Sequence, residues 1–237
     1  NMSIDFSRIS DLGRPTTRKT RYRADGQQVL RVDEELTAPV SQALQDQLFG
    51  EVCSQLESAQ AIILSDYAKG CMPVPLMQNI IKAAKDAGKP VIADPKLTDF
   101  SSYAGVDLLT PNLAELRKAT ALSDDTLDSI AAAAGGLAAA NDIGAILATL
   151  SARGMLLAHA DGSWTHAPAE ARAVFDVSGA GDTVVAILAA CIAAGIRHED
   201  ALSLANLAAG VVVGKSGTAV VSPGELITAA GPAGGPA

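Results

Sequence analysis

Three cysteines, Cys53, Cys71 and Cys191, are all this sequence has, and they are widely spaced and odd in number. They supply neither a disulfide framework nor the paired spacing of a metal knuckle, so reduced, mostly buried thiols are expected. Long apolar runs are lacking too. The richest, Val184 to Ile196, is alanine-heavy and falls short of the ~20 residues of a membrane-spanning helix. It reads as a buried core helix, and no membrane partner is expected. The opening Asn1-Met-Ser-Ile-Asp5 shows no basic stretch followed by an apolar one, so no secretory leader is visible and a cytoplasmic setting is expected. Nor is there a basic excess: a formal net charge of −8 argues against a general nucleic-acid binder. Two phosphate-binding fingerprints are also missing. No Gly-Lys-Ser/Thr closes a Walker-A loop, and Gly179-Ala-Gly-Asp-Thr-Val184 lacks the third glycine of a dinucleotide loop.

What is present is an apolar fraction of 49% against 19% charged residues over 237 positions, enough for the core of one large α/β domain. Short apolar runs alternate with longer helical patterns. Strands are expected at 61–65, 91–94, 107–110 and 145–149, with helices at 75–87, 113–120 and 126–141, the last weakened by Gly135-Gly136. An antiparallel pair, 155–159 and 164–166, flanks Asp161-Gly162. Strands alternating with helices in this way predict a mainly parallel sheet covered on both faces. Ligands bind such sheets outside the carboxyl ends of the strands. Asp66, Asp94, Asn112 and the stretch from Thr149 to Ser151 fall at those ends.

The first thirty residues differ from the rest. Thr16 to Arg23 and Gln28 to Asp33 flank Asp25-Gly26, a hairpin-turn dipeptide. Lys19, Arg21 and Arg23 share one face of that hairpin and Thr20 and Tyr22 the other. Six of the 18 basic residues lie between Arg14 and Arg31, opposed there only by Asp25. The reading is a basic flap or lid over residues 14–33, suited to a small anion; the alternative is an ordinary solvated hairpin. The Gly/Pro/Ala-rich tail from Ala229 to Ala237 is expected to fray.

The sharpest chemical signal is Asp176-Val-Ser-Gly-Ala-Gly-Asp-Thr183, followed at once by an apolar helical run. Gly179, Ala180 and Gly181 clear side-chain bulk from a helix start, where unpaired amides and the helix dipole can surround an anion. That suits a transferring phosphoryl group. Asp182, in the same turn, is placed to take a proton from a substrate hydroxyl. The competing account is a helix cap, with Ser178 as N-cap and Asp182 complementing the dipole.

Asp176 to Val184 resembles the carboxy-terminal signature of the PfkB, or ribokinase-like, carbohydrate kinases. Three further elements follow the family's order: Thr110-Pro-Asn-Leu-Ala-Glu115, Thr149-Leu-Ser-Ala-Arg-Gly154 and the segment from Asn206 to Gly217. The resemblance spans essentially the whole chain. It implies a ribokinase-like α/β fold with a small β lid, ATP and Mg²⁺ as cofactors, and a sugar or sugar phosphate as acceptor. It implies Asp182 as base over an anion hole at Gly179, Ala180 and Gly181. Asn112 and Glu115 would help place Mg²⁺, through water. Thr149, Ser151 and Gly154 would line the phosphate and ribose path, with Asn206 and Gly210 bordering the adenine. Asp176 is tied in this family to a monovalent cation, although Val177-Ser178 stands where many relatives have two threonines. Taken alone, Asn112 and Glu115 also fit a capping box, Gly154 a turn, and Asn206 a buried amide satisfied by backbone.

Leu64-Ser-Asp-Tyr-Ala-Lys-Gly70, Asp94-Pro-Lys96 and the lid segments resemble the heptose kinases of lipopolysaccharide core synthesis. The resemblance implies phosphorylation of D-glycero-β-D-manno-heptose 7-phosphate at O1. A substrate already bearing a phosphate needs a cationic clamp; Lys96 is the first candidate, supported by Lys19 and Arg21, against ion pairing of Lys96 with Asp94 or Asp99. Asp66 and Lys69 read as structural around the Gly70 turn. Relatives form dimers through such lids, so a homodimer is expected. The family's usual opening strands, with a sugar-binding Asp and a Gly-Gly motif, are not found in these 237 residues, and part of the sugar pocket is expected to be missing with them. The other readings are a kinase for a different sugar and a binding module without turnover.

Overall fold

The structure is a computed structural model that describes residues 6–24, 27–170 and 176–231. It opens with a hairpin, β1 (Arg18–Ala24) and β2 (Gln27–Glu34). The expected Asp25-Gly26 turn, like most of the tail, lies outside the described residues. Lys19 faces Asp33, Arg21 faces Arg31 and Tyr22 faces Leu30, and the register shifts between Tyr22 and Arg23. No described residue of the hairpin is buried. Its root is held instead by Arg14, whose Nη1 donates to the carbonyls of Leu36 (2.8 Å) and Lys69 (2.9 Å), and whose Nη2 donates to that of Ala38. Lys69 also pairs with Glu35.

Beyond the hairpin the chain runs α1 (Gln42–Gln55), β3 (Ile62–Ser65), α2 (Val74–Asp86), β4 (Val91–Asp94), β5 (Leu108–Leu109), α3 (Leu113–Thr120), α4 (Leu127–Ala140), β6 (Ala145–Thr149), β7 (Met155–His159), β8 (Trp164–Ala167), α5 (Ala180–Ala193), α6 (His198–Val213) and α7 (Pro223–Ala230). The six strands of the main sheet lie in the order β3-β4-β5-β6-β7-β8. The pairings from β3 to β6 are parallel, and β7 and β8 join antiparallel. The expected mainly parallel sheet is thus present, with an antiparallel margin.

The strands are apolar on both faces because helices cover both, and alternate residues serve different layers. Leu109, Ile146 and Ala148 pack with Leu76, Ile80, Ile130 and Ala134 of α2 and α4. Ile92, Leu108 and Leu147 pack with Val184, Leu188, Ala201 and Ala205 of α5 and α6. Helix α2 begins within a Pro73-Val-Pro75 segment, where a missing N–H costs nothing. It buries Leu76, Met77, Ile80, Ile81 and Ala84, one stripe at helical spacing. Helix α4 is capped by Thr126 and runs unbroken through Gly135-Gly136. The reason is contact: a Cβ at Gly135 would stand 2.9 Å from the His159 carbonyl oxygen, so glycine lets α4 close onto β7.

One expectation is corrected. Of the cysteines only Cys191 is buried; Cys53 and Cys71 are exposed. Cys53 lies on α1, which buries none of its residues, and Cys71 lies in the loop between β3 and α2. Burial raises the Cys191 thiol pKa above its ordinary value. Among the described residues no helix is long and apolar enough to cross a membrane.

Candidate active site

The carboxyl ends of β3, β4, β5 and β6 point to one edge of the sheet, and the start of α5 meets them there. The turn into α5 is closed by Asp176, whose Oδ1 accepts from the Ser178 amide at 2.9 Å. The cap position is Gly179, at φ 82°, and no side chain caps the helix. Ser178 therefore does not serve as the N-cap, while Asp182 lies in the first turn, where its charge complements the helix dipole. A left-handed residue at that point favours glycine. Gly179, Gly181 and Asp182 line a small pocket of about 230 Å³.

Across that pocket stand Asp94 and Lys96, from the end of β4, and Asn112 and Glu115, from the start of α3. Asn112 and Glu115 form a complete capping box: Asn112 Oδ1 accepts from the Glu115 amide and Glu115 Oε2 from the Asn112 amide, each at 2.9 Å. The cap holds both side chains at the pocket wall, so capping and a place in the site coexist. Lys96 Nζ lies 3.0 Å from Asp94 Oδ1 and 3.1 Å from Glu115 Oε1. Asp99 is not its partner, being engaged with Ser101. Burial pushes the Asp94 carboxyl above its ordinary range; Lys96 opposes this, while Glu115 and Asp182 add to it. Burial works against the Lys96 charge, but its contacts with Asp94 and Glu115 outweigh that and raise its pKa.

The Asp94-Pro-Lys96 turn is fixed from below. The Tyr103 hydroxyl accepts from the amides of Lys96 (3.0 Å) and Leu97 (3.2 Å) and donates to Asp66 Oδ2 (2.8 Å). Tyr103 and Asp66 are buried, and desolvation drives the phenol well above its ordinary range. Asp66 Oδ1 also accepts from the Ala68 amide, so Asp66 and, through Glu35, Lys69 have the structural roles expected of them.

A larger cleft of about 720 Å³ adjoins the small pocket and shares Asn112, Thr149, Gly181 and Val184 with it. Thr149, Ser151, Gly154, Ala180, Asn206 and Gly210 all line it. Asn206 is buried, and its Nδ2 donates to the Pro168 carbonyl at 2.6 Å. The structure thus brings together Asp182, Gly179, Ala180, Gly181, Asn112, Glu115, Thr149, Ser151, Gly154, Asn206, Gly210 and Lys96. Lys19 and Arg21, on the hairpin, and Asp176, behind the helix start, line neither cavity. Sequence reasoning placed Asp94 at a ligand-binding strand end without giving it a role, and met Tyr67, Val177 and Val213 only inside motifs, with no place in the site; Asp94 and Tyr67 line the small pocket and Val177 and Val213 the larger cleft. The signal for Asp94 was its place after a strand; nothing local marks the other three as lining residues.

Among the described residues no cluster of three or more His, Cys, Asp or Glu side chains is able to hold a metal by itself. The donor set nonetheless fits Mg²⁺ held mainly by water and phosphate, because Glu115 and Asp94 offer hard oxygen ligands beside the uncapped start of α5.

Residues 2–224 match the family model described as pfkB family carbohydrate kinase. The chain belongs to that family. Among curated relatives, the bifunctional protein HldE of Paramagnetospirillum magneticum is 49% identical over 95% of this chain and 46% of its own length. That of Rhodospirillum rubrum is 48% identical over 91% and 44%. The chain spans about half the length of the curated relatives it matches. Among solved structures, Arabidopsis thaliana ribokinase complexed with ribose and ATP aligns with a TM-score of 0.70 at 23% identity, over 87% of this chain and 65% of that one. Phosphofructokinase-2 from Escherichia coli in complex with potassium aligns with a TM-score of 0.75 at 19% identity, over 90% and 69%. At those identities the likeness establishes the fold, which is ribokinase-like.

Proposed function

We propose that this pfkB-family chain transfers the γ-phosphoryl group of MgATP to O1 of D-glycero-β-D-manno-heptose 7-phosphate, giving the 1,7-bisphosphate used for lipopolysaccharide core precursors. The observation that carries the reading is the meeting of Asp182, the uncapped glycine start of α5 and the Asn112–Glu115 pair in one small pocket that opens on a larger cleft. The larger cleft suits the nucleotide; the small one suits the transferring group. Asp182 accepts the hydroxyl proton as O1 bonds to the γ-phosphorus and the bond from that phosphorus to the β-phosphate oxygen breaks, releasing ADP. The first-turn amides of α5 hold the negative charge on the transferring group. Asn112 and Glu115 would hold Mg²⁺ through water, and the metal when bound neutralises triphosphate charge. We place the monovalent cation, if the reaction uses one, near Asp176.

Heptose is chosen because Leu64 to Gly70 and Asp94 to Lys96 resemble heptose kinases, in keeping with the HldE relatives. Lys19 and Arg21 on the hairpin are the cations assigned to the sugar's own phosphate. The test is ADP release from MgATP across heptose 7-phosphate, fructose phosphates, ribose and adenosine, with full-length HldE of R. rubrum beside this chain. Heptose-dependent release is expected. Preference of both proteins for another sugar would sink the assignment.

The hairpin also suits self-association. Tyr22, Leu30 and Val32 stand on one face of it and are all substantially exposed, and such an apolar strand surface invites pairing. A homodimer through this face should become monomeric in the double variant Tyr22→Asp/Leu30→Asp, as read by sedimentation velocity. An unchanged oligomer would remove the hairpin from the interface.

A further inference from the structure

The phosphoryl-transfer reading leaves the contacts of Lys96 without a purpose. Its Nζ touches Asp94 Oδ1 and Glu115 Oε1 and donates to the Pro95 carbonyl at 3.0 Å. The other oxygen of Glu115 is taken by the helix cap. The lysine therefore covers the one carboxylate oxygen of Glu115 left to serve a metal. Asp94, Glu115 and Asp182 supply three carboxylates to a pocket of about 230 Å³, and among the described residues Lys96 is the one lysine or arginine lining it. Its backbone is pinned by the buried Tyr103–Asp66 pair, while its side chain is about a third exposed, at 31%. A residue fixed at the main chain, with its side chain partly open to solvent, can keep its place and change partners.

We propose that Lys96 is the resident counter-cation of this pocket, covering Glu115 and Asp94 while no nucleotide is bound and passing its ammonium to an oxygen of the incoming triphosphate. The proposal rests on the reading of Asn112 and Glu115 as the residues that serve Mg²⁺. An ammonium has donors only and binds phosphate as a point charge, so exchange from carboxylate to phosphate needs no proton transfer. Two cations competing for Glu115 repel strongly at contact distance. Free divalent metal is thereby kept out, and metal enters with the nucleotide that draws the lysine away. This assigns Lys96 to the nucleotide end of the site, rather than to the sugar's own phosphate.

The test needs no sugar and no turnover. Mn²⁺ binding to the nucleotide-free chain is followed by electron paramagnetic resonance in wild type, Lys96→Met, Lys96→Gln and Lys96→Met/Glu115→Gln, with folding checked by circular dichroism. Both single variants should bind Mn²⁺ at least about tenfold more tightly than wild type, and the double variant should lose that gain. Equal affinity in wild type and the folded single variants, or measurable binding in none, overturns the proposal. Wild-type affinity for MnATP in Glu115→Gln would instead defeat the metal reading beneath it. That is a separate failure, visible in a separate titration.

Discussion

Asp182→Asn is expected to lower turnover by roughly 10²–10⁴-fold, the range associated with loss of a positioned general base, while ATP affinity stays near that of wild type. Asparagine keeps the shape of the side chain and cannot take the hydroxyl proton. Asp182 sits in the first turn of α5 and caps nothing with its own side chain. The fold therefore loses only the interaction of one carboxylate with the helix dipole, about 0.3–1 kcal/mol. The larger cleft, lined by Thr149, Ser151, Asn206 and Gly210 and proposed for the nucleotide, is untouched. Steady-state ADP release paired with calorimetric ATP binding separates the two effects. Turnover within about tenfold of wild type would mean that the proton leaves by another route.

Gly154→Ala should be among the most damaging small substitutions, and its damage should appear as lost stability. Gly154 closes the turn Ser151–Arg153 at φ 88°, ψ −134°, a conformation that L side chains scarcely reach. A Cβ there would lie 2.0 Å from the Ala167 carbonyl oxygen and 2.7 Å from the Ala169 amide nitrogen. Both obstacles are main chain, so relief requires β8 and its continuation to shift away from β7. Backbone strain and the broken sheet margin together should cost roughly 3 kcal/mol or more. Denaturant unfolding of wild type and variant measures this directly, and a loss under about 1 kcal/mol would mean the margin yields easily. Because Gly154 lines the cleft proposed for the nucleotide, weaker ATP binding should accompany the instability.

The parallel sheet was readable because its strands are short apolar runs, most of them bounded by glycine or proline, and doubly covered strands need no polar face. Asn112 and Glu115 were readable for a similar reason: a cap and its reciprocal residue lie three positions apart, within reach of local pattern. The Lys96 contacts were only half legible. Asp94 is two residues away and was considered as a partner. Glu115 is nineteen positions further on and comes alongside only because β4 and β5 are neighbours in the sheet. Arg14 shows the same limit. It read as one of six cations in a basic patch, yet its guanidinium is spent on three carbonyls. Nothing local separates an arginine that meets solvent from one that closes a loop. The exposed thiols of Cys53 and Cys71 belong here as well, since residue type alone favours burial.

Arg14 gives the hairpin a mechanical character. The strands are tied to each other along their length, bury no described residue, and meet the domain at a root where one guanidinium gathers carbonyls from Leu36, Ala38 and Lys69. A ribbon fastened at one end is a lever, and Arg14 is its fulcrum. The short arm is the loop from Asp66 to Gly70, whose first residue grips Tyr103 and through it the main chain at Lys96. A displacement at that root would therefore be felt at the main chain of Lys96, through Asp66 and Tyr103, geared down by the ratio of the arms.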